Sequence, residues 1–162
     1  MEWNKYDNVS AASKWLKRKI ELVEEKEHLL FNQHRNVLLS HHSEPIKQIY
    51  RGGIFHAELG YGNIGGEKNK TRPVIVISQN RLNNGNTVVI APLSTKFKRK
   101  KNGLPLYSNH YLLTKKKYPD LDKDSVVKFE DIRSIDVVRL RDIMCNVDKQ
   151  DMGRMKRNLL FM

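Results

Sequence analysis

The sequence predicts a mainly β, α+β protein: a small sheet of short antiparallel strands curled into a partial barrel, with a C-terminal helix and a preceding N-terminal amphipathic helical extension. Three observations predict it. Apolar residues recur every three to four positions from residue 8 to about 38; after a polar, proline-containing break the pattern becomes one of short strands between Gly, Asn, Pro or Lys-rich loops. The final stretch, "DKQDMGRMKRNLLFM", returns to helical spacing.

In the first segment Ser10 is placed to serve as N-cap, and Ala12, Trp15, Leu16, Ile20, Val23, Leu30 and Val37 supply the apolar periodicity. "KRK" and "EEKE" mix base and acid on the polar face, so the helix suits packing on its own domain or on a second copy better than lying on a membrane, where that face would be mostly basic. The polar "SHHSEP" with Pro45 ends the pattern and sets a boundary between a helical extension and linker, 1–49, and a second domain, 50–162. His41 and His42 fall in this linker without a cysteine or carboxylate cluster, which makes them solvated residues and not metal ligands.

Strands are predicted at 53–59, 73–78, 87–93, 109–113, 125–130, 132–136 and 139–147. Their regular shortness favours a partial antiparallel barrel over a βαβ fold. Asp148 is the expected cap of the last helix, whose Met152, Met155 and Leu159 share one face.

The charge is uneven. Of 30 basic and 18 acidic side chains, residues 1–50 hold 8 and 7, and residues 51–162 hold 22 and 11. The net +12 therefore resides almost wholly in the barrel segment, where it favours a polyanion or an acidic protein as partner over a neutral metabolite. The single cysteine, Cys145, excludes an intrachain disulfide and a cysteine-rich zinc site, fits a reducing cytoplasm, and reads as a buried small residue. The polar start "MEWNKYDNVS" lacks the basic and then apolar order of a signal peptide, and no apolar run approaches the roughly 20 residues that cross a bilayer. A soluble cytoplasmic protein without a membrane partner is the expectation.

Arg72 stands at the mouth of the apolar, mostly β-branched run "PVIVI". Two loops flank it in sequence. "GYGNIGGEKNKT", 60–71, holds four glycines and suits a mobile flap, with Tyr61 and Lys70 as candidate nucleic-acid contacts. "STKFKRKKNG", 94–103, has five Lys or Arg among residues 96–101, interrupted by Phe97. Such a run is a solvated surface or a single-strand platform, with Lys96, Lys98 and Arg99 on phosphates and Phe97 under a base.

"RGGIFHAEL", "GGEKNKTRPVIVI", "TVVIAPLST" and "LDKDSVVKFEDIRSIDVVRL" follow one another in the order and approximate spacing of the MazF/PemK-like toxins, the endoribonuclease components of type II toxin–antitoxin systems. The segment resembles that family over residues 50 to about 161. The resemblance implies an SH3-like barrel with a C-terminal helix, a homodimer, single-stranded RNA as substrate, no metal or other cofactor, and neutralisation by a small acidic antitoxin. It places the family's functional arginine on Arg72 and its functional threonine on Ser94, with Thr95 next to it, and it matches Glu67 to a glutamate frequent in the family's glycine-containing loop.

The residue chemistry agrees. In metal-free cleavage the 2′-OH attacks its own phosphorus and leaves a 2′,3′-cyclic phosphate and a 5′-OH, so a site must stabilise charge on the phosphoryl oxygens. A guanidinium forks onto two such oxygens and stays charged, which makes Arg72 a transition-state clamp, and the hydroxyl of Ser94 or Thr95 adds a donor. His56 and His110 read as structural, and Arg133, Asp136 and Arg139 as residues that fix a turn. The competing readings are a non-catalytic, CcdB-like toxin that binds gyrase and an inactive RNA-binding module.

Overall fold

The computed structural model describes residues 5–39, 48–60, 70–83 and 85–160. The chain divides into two compact units, Met1–Gln48 with Leu59–Lys70, and Ile49–Glu58 with Thr71–Met162.

In the first unit one helix, α1, runs over Lys5–Leu39. It starts before Ser10, which therefore lies inside the helix and is not its N-cap. Arg18 donates to Glu21 at 2.9 Å and pairs with Glu25 at 2.8 Å, so part of the charged face is tied together along the helix. Leu22 is buried. His41, His42 and Pro45 lie outside the described residues.

The second unit contains β1 (Gly53–Glu58), β2 (Thr71–Val76), β3 (Thr87–Ser94), β4 (His110–Leu113), β5 (Ser125–Lys128), β6 (Arg133–Asp136), β7 (Leu140–Asn146) and a helix, α2 (Lys149–Leu160). All strand pairings are antiparallel, in the order β4-β5-β3-β2-β1-β7, with β6 also on β3. The two ends of that path do not meet, which gives the predicted partial barrel. β2 begins at Thr71, so Arg72 is inside the strand and not at its mouth. The predicted strand at 125–130 stops at Lys128, because Phe129–Asp131 turn in a 3-10 helix that buries Phe129.

β3 organises the rest. Ile90 pairs with Val76 of β2 and with Arg133 of β6, so these two strands occupy opposite edges of β3. Beyond Ile90, β5 replaces β6 as partner, through Leu93↔Val127 and Ser94↔Val126. Pro92 falls between the last β6 pair and the first β5 pair, where a strand interior tolerates a residue without an N–H.

The core joins Ile54, Ile75, Leu93, Leu113, Val127 and Phe129 to Met155 of α2, with Met152 and Leu159 packed against it as the spacing predicts. Cys145, opposite Ile54, is half-buried and not fully buried as predicted; burial pushes its thiol pKa up, which leaves it unreactive. Across the sheet, the Arg141 guanidinium on β7 binds the Glu58 carboxylate on β1.

The attachment of α2 is polar as well as apolar. The Asp148 carboxylate accepts the Asp151 N–H at 2.7 Å, the predicted N-cap. Asp151 itself is only 4% exposed and accepts from Tyr118 Oη at 2.7 Å, Tyr111 Oη at 2.8 Å and Lys117 Nζ at 2.9 Å. Burial pushes the Asp151 carboxyl pKa up, but the hydrogen bonds from Tyr118, Lys117 and Tyr111 outweigh it and hold the group below its usual value. At Gly52 the backbone has φ +88°, and an added Cβ would sit 3.2 Å from Met152 and 3.3 Å from the Val147 carbonyl, so glycine is required where α2 approaches. Asp136 accepts the Val138 N–H and caps the turn Val137–Arg139.

Removing the Asp151 carboxylate strands the Tyr111 and Tyr118 hydroxyls, while Lys117 keeps Asp148 at 2.6 Å. Asp151→Ala is expected to lower unfolding free energy by about 2–4 kcal/mol, measured in urea at neutral pH. Because the folded pKa is depressed, the contribution of Asp151 is complete above about pH 5 and is lost as pH falls through the folded value, so the gap between wild type and variant should narrow in acid.

Candidate active site

The ladder between β2 and β3 stops at Val74↔Pro92. The β1 ladder continues beyond Pro73 through Ala57↔Arg72 and Glu58↔Thr71, so Pro73 withholds its missing donor from the β3 side. From this point β3 is held by β5 at Leu93 and Ser94, and β2 by β1. The two strands part, and the opening between them is a cleft of about 330 Å³. Continued by two residues, the β2–β3 register would set Arg72 opposite Ser94; both line the cleft.

Pro73 and the buried Leu93 form its apolar lining, and Thr95, Lys96 and Ser125 complete it. Arg72 is half-buried on β2, with its backbone fixed by the Ala57 pairing. Ser94 closes β3 and turns the chain: its Oγ accepts the Lys96 N–H at 3.3 Å and donates to the Lys96 carbonyl at 3.1 Å. Thr95 and Lys96 are exposed. The lining thus offers two cations and three hydroxyls, without a carboxylate or an imidazole. That set binds an anion, and a hydroxyl with one donor and two acceptor positions can keep its backbone bond while it donates to a ligand.

Ser125 was missed by the sequence reading. It follows Asp124 in what looks like a strand start, and only the β3–β5 pairing places it beside Ser94.

The basic run does not join the lining beyond Lys96. It folds into a small hairpin in which Lys100 N–H donates to the Leu104 carbonyl at 2.7 Å and Leu106 N–H to the Lys98 carbonyl at 2.8 Å, with Gly103 at φ +82° in the turn. The Arg99 guanidinium lies 4.3 Å from the centre of the Phe97 ring, donates to the Gly103 carbonyl at 2.9 Å and pairs with Asp124 at 3.3 Å. One face of Phe97 is therefore already covered by Arg99, whereas Lys98, Lys100 and Lys101 are exposed.

Tyr61 and Glu67 lie outside the described residues. Lys70 is exposed at φ +64°, and its N–H and carbonyl bond to Gly60 and Leu59 at the base of the loop. Neither His56, opposite Pro73 on β1, nor His110 lines the cleft. His110 is buried, with Nε2 at 2.8 Å from Glu130 Oε1 and its ring edge-on to Tyr107. Burial pushes the Glu130 carboxyl up, but the hydrogen bonds from His110, the backbone and Lys128 together outweigh it and hold the group below its usual value. Among the described residues there is no group of three or more His, Cys, Asp or Glu that would hold a metal ion.

An open antiparallel barrel with a C-terminal helix, parted at one strand pair over a cationic, hydroxyl-lined cleft, defines a small barrel-fold protein with a candidate anion site. The chain belongs to the PemK-like, MazF-like toxins of type II toxin-antitoxin systems, whose family model matches residues 50–162. The chain is 32% identical over 113 residues to Endoribonuclease EndoA of Bacillus subtilis (strain 168), a match that covers 68% of this chain and 90% of the relative. Two solved structures share the fold. MazF (Form-I) from Deinococcus radiodurans superposes with a TM-score of 0.57 at 18% identity, over 72% of this chain and all of the other. An endoribonuclease in complex with its cognate antitoxin, from Mycobacterial species, gives 0.51 at 19% identity, over 72% and 93%.

The two hydroxyls at the end of β3 differ in what they hold, and this has a measurable consequence. Ser94→Ala removes both bonds to Lys96 and is expected to destabilise by about 0.5–1.5 kcal/mol, whereas Thr95→Ala at an exposed position should stay within about 0.5 kcal/mol of wild type, by urea unfolding.

Proposed function

We propose that the protein is an endoribonuclease toxin that cleaves single-stranded RNA by attack of a 2′-OH on the adjacent phosphorus, leaving a 2′,3′-cyclic phosphate and a 5′-OH. The observation that supports it most is that Arg72 and Ser94 line one cleft where β2 and β3 part. In this reaction the O2′–P bond forms, the P–O5′ bond breaks, a proton leaves O2′ and one arrives at O5′. Charge accumulates on the two non-bridging oxygens in between. Arg72 forks onto that pair of oxygens, and Ser94 keeps the Lys96 N–H on one lone pair while its O–H turns from the Lys96 carbonyl to the phosphoryl group. Lys96 and the Ser125 end of the cleft hold the flanking backbone.

The lining holds no imidazole or carboxylate to act as general base, and a guanidinium is a poor proton donor. The contribution of this cleft is therefore charge stabilisation in a fixed geometry, which suits a slow, selective cleavage. Thr95 is the neighbouring hydroxyl, and the exposed Lys98, with the Phe97–Arg99 stack, continues the cationic surface along the hairpin. Tyr61, Glu67 and Lys70 belong to the same reading as contacts from the β1–β2 loop.

The relatives support the activity through the name of the Bacillus subtilis protein, and the presence of an antitoxin in the mycobacterial complex supports an acidic protein partner for a chain of net +12. A homodimer in the cytoplasm completes the reading; no described helix is long and apolar enough to cross a membrane.

Incubation with a long RNA in EDTA tests it. Discrete cuts with 5′-OH ends are expected, and intact RNA with folded protein at every ionic strength would sink the proposal. Arg72→Ala should lower the single-turnover rate by about 10²–10³-fold and Ser94→Ala by less, with Arg72→Lys closer to alanine than to wild type because an ammonium does not fork. Binding of uncleaved RNA should weaken with salt, and Lys98→Ala should reduce the slope of log K against log salt by about 1 if that side chain meets a phosphate.

A further inference from the structure

Helix α1 has two apolar stripes. Trp15, Leu22 and Leu29 follow one another at intervals of seven, with Leu22 buried and Leu29 52% exposed. About a third of a turn away, Val9, Leu16, Ile20, Val23 and Phe31 form a second line, and all five are exposed, from 51% for Val23 to 65% for Phe31. Val9, Leu16 and Val23 repeat every seven residues with Ile20 between two of them, the spacing of a helix seam. At 1.5 Å per residue this seam is about 33 Å long, too continuous for scattered surface apolar residues.

The charges beside the seam select its occupant. The turn-and-a-half "KWLKRK" from Lys14 to Lys19 has four cations and no acid, and "ELVEEKE" from Glu21 to Glu27 has four acids and one cation. A helix with opposite charge on its two halves complements a second copy of itself that runs the other way. A parallel pair would set Glu27 against Glu27 in the seam; an antiparallel pair sets it against the Lys14–Lys17 turn of the second copy. Ile20 then meets Val23 of the second copy at the two-fold axis, and Lys17 lies beside Glu24. Glu27 interrupts the seam, which is a cost in either orientation that only the antiparallel one offsets with a cation.

We propose that α1 is a dimerisation element, in which two copies of the chain pair antiparallel through Val9, Leu16, Ile20 and Val23, independently of the RNA chemistry of the barrel. The test uses the full chain with Cys145→Ser and one spin label at a time. A label at Ile20→Cys is expected to report a short distance between copies. A label at Val9→Cys is expected to report about 35–40 Å, since residue 9 and its counterpart then lie at opposite ends of the paired helices. Short distances at both sites would mean a parallel pair and overturn the proposal. Long or absent distances at Ile20 overturn it too, whether the face is solvated, covered by an antitoxin, or the copies meet only through their barrels. Ile20→Asp together with Val23→Asp, with the label moved to Leu16→Cys, should lose the distance that Leu16→Cys gives alone while the helical circular dichroism stays unchanged; retention of that distance would place the contact elsewhere. RNA cleavage measured on the same samples separates this result from the fate of the nuclease reading.

Discussion

The end of the β2–β3 ladder at Val74 and Pro92 is the constraint from which the site follows. Two strands of a barrel ordinarily zip until one of them ends, and an open ladder edge is a cost in unmet backbone bonds. Here Pro73 has no N–H to offer β3, and β5 holds Leu93 and Ser94. β1 continues to pair β2, and β5 pairs β3, beyond the point where the two strands separate. A gap held open by its neighbours is a suitable place for a ligand. Arg72 and Ser94, which further pairing would have set side by side in a closed ladder, both line it.

Rigidity around the cleft comes from two further sets of contacts. β3 is held by three strands, β6 along Thr87–Ile90, β2 along Ile90–Pro92 and β5 at its end, so Ser94 is fixed by the Val126 pairing and by its own turn to Lys96. The Asp151 network performs the same service for the sheet edge, binding α2 to the Tyr111 strand and the Tyr118 turn through one buried carboxylate. Its donors come from side chains more than thirty residues away in sequence, so it forms only after the sheet has folded. The basic hairpin is likewise more ordered than a lysine run suggests. Arg99 spends its charge on Asp124 and its face on Phe97, and this braces the strand that presents the exposed lysines.

The charge distribution ties these parts to the proposed chemistry. An excess of +11 on residues 51–162 raises the local concentration of any polyanion, and in the proposed chemistry the two cations in the cleft would turn that attraction into a particular phosphate position. The helix α1 is different in kind: nearly neutral overall, with its charges separated by sign along its length. Its exposed seam suits self-recognition.

Much of this was legible in the chain itself. The change from helical to strand period, the turn residues between short apolar runs, the cap at Asp148 and the Met152–Met155–Leu159 face are local signals, and the structure has each of them. The family segments fixed Arg72 and Ser94 as the residues to examine. What local signals do not contain is which strand edges meet. That Arg72 is within β2 and that Ser125 borders the cleft depend on contacts between segments distant in sequence, whereas the place of Ser10 inside α1, the 3-10 turn after β5 and the Arg99–Phe97 stack are local features that the residue pattern did not reveal. The sequence by itself determined the elements, their polarity and the residue types available for chemistry, because these follow from neighbours three or four positions away. The tertiary structure alone decided where β2 leaves β3, and so where a cation and a hydroxyl face each other, because a ladder ends through the competition of several strands for the same backbone groups.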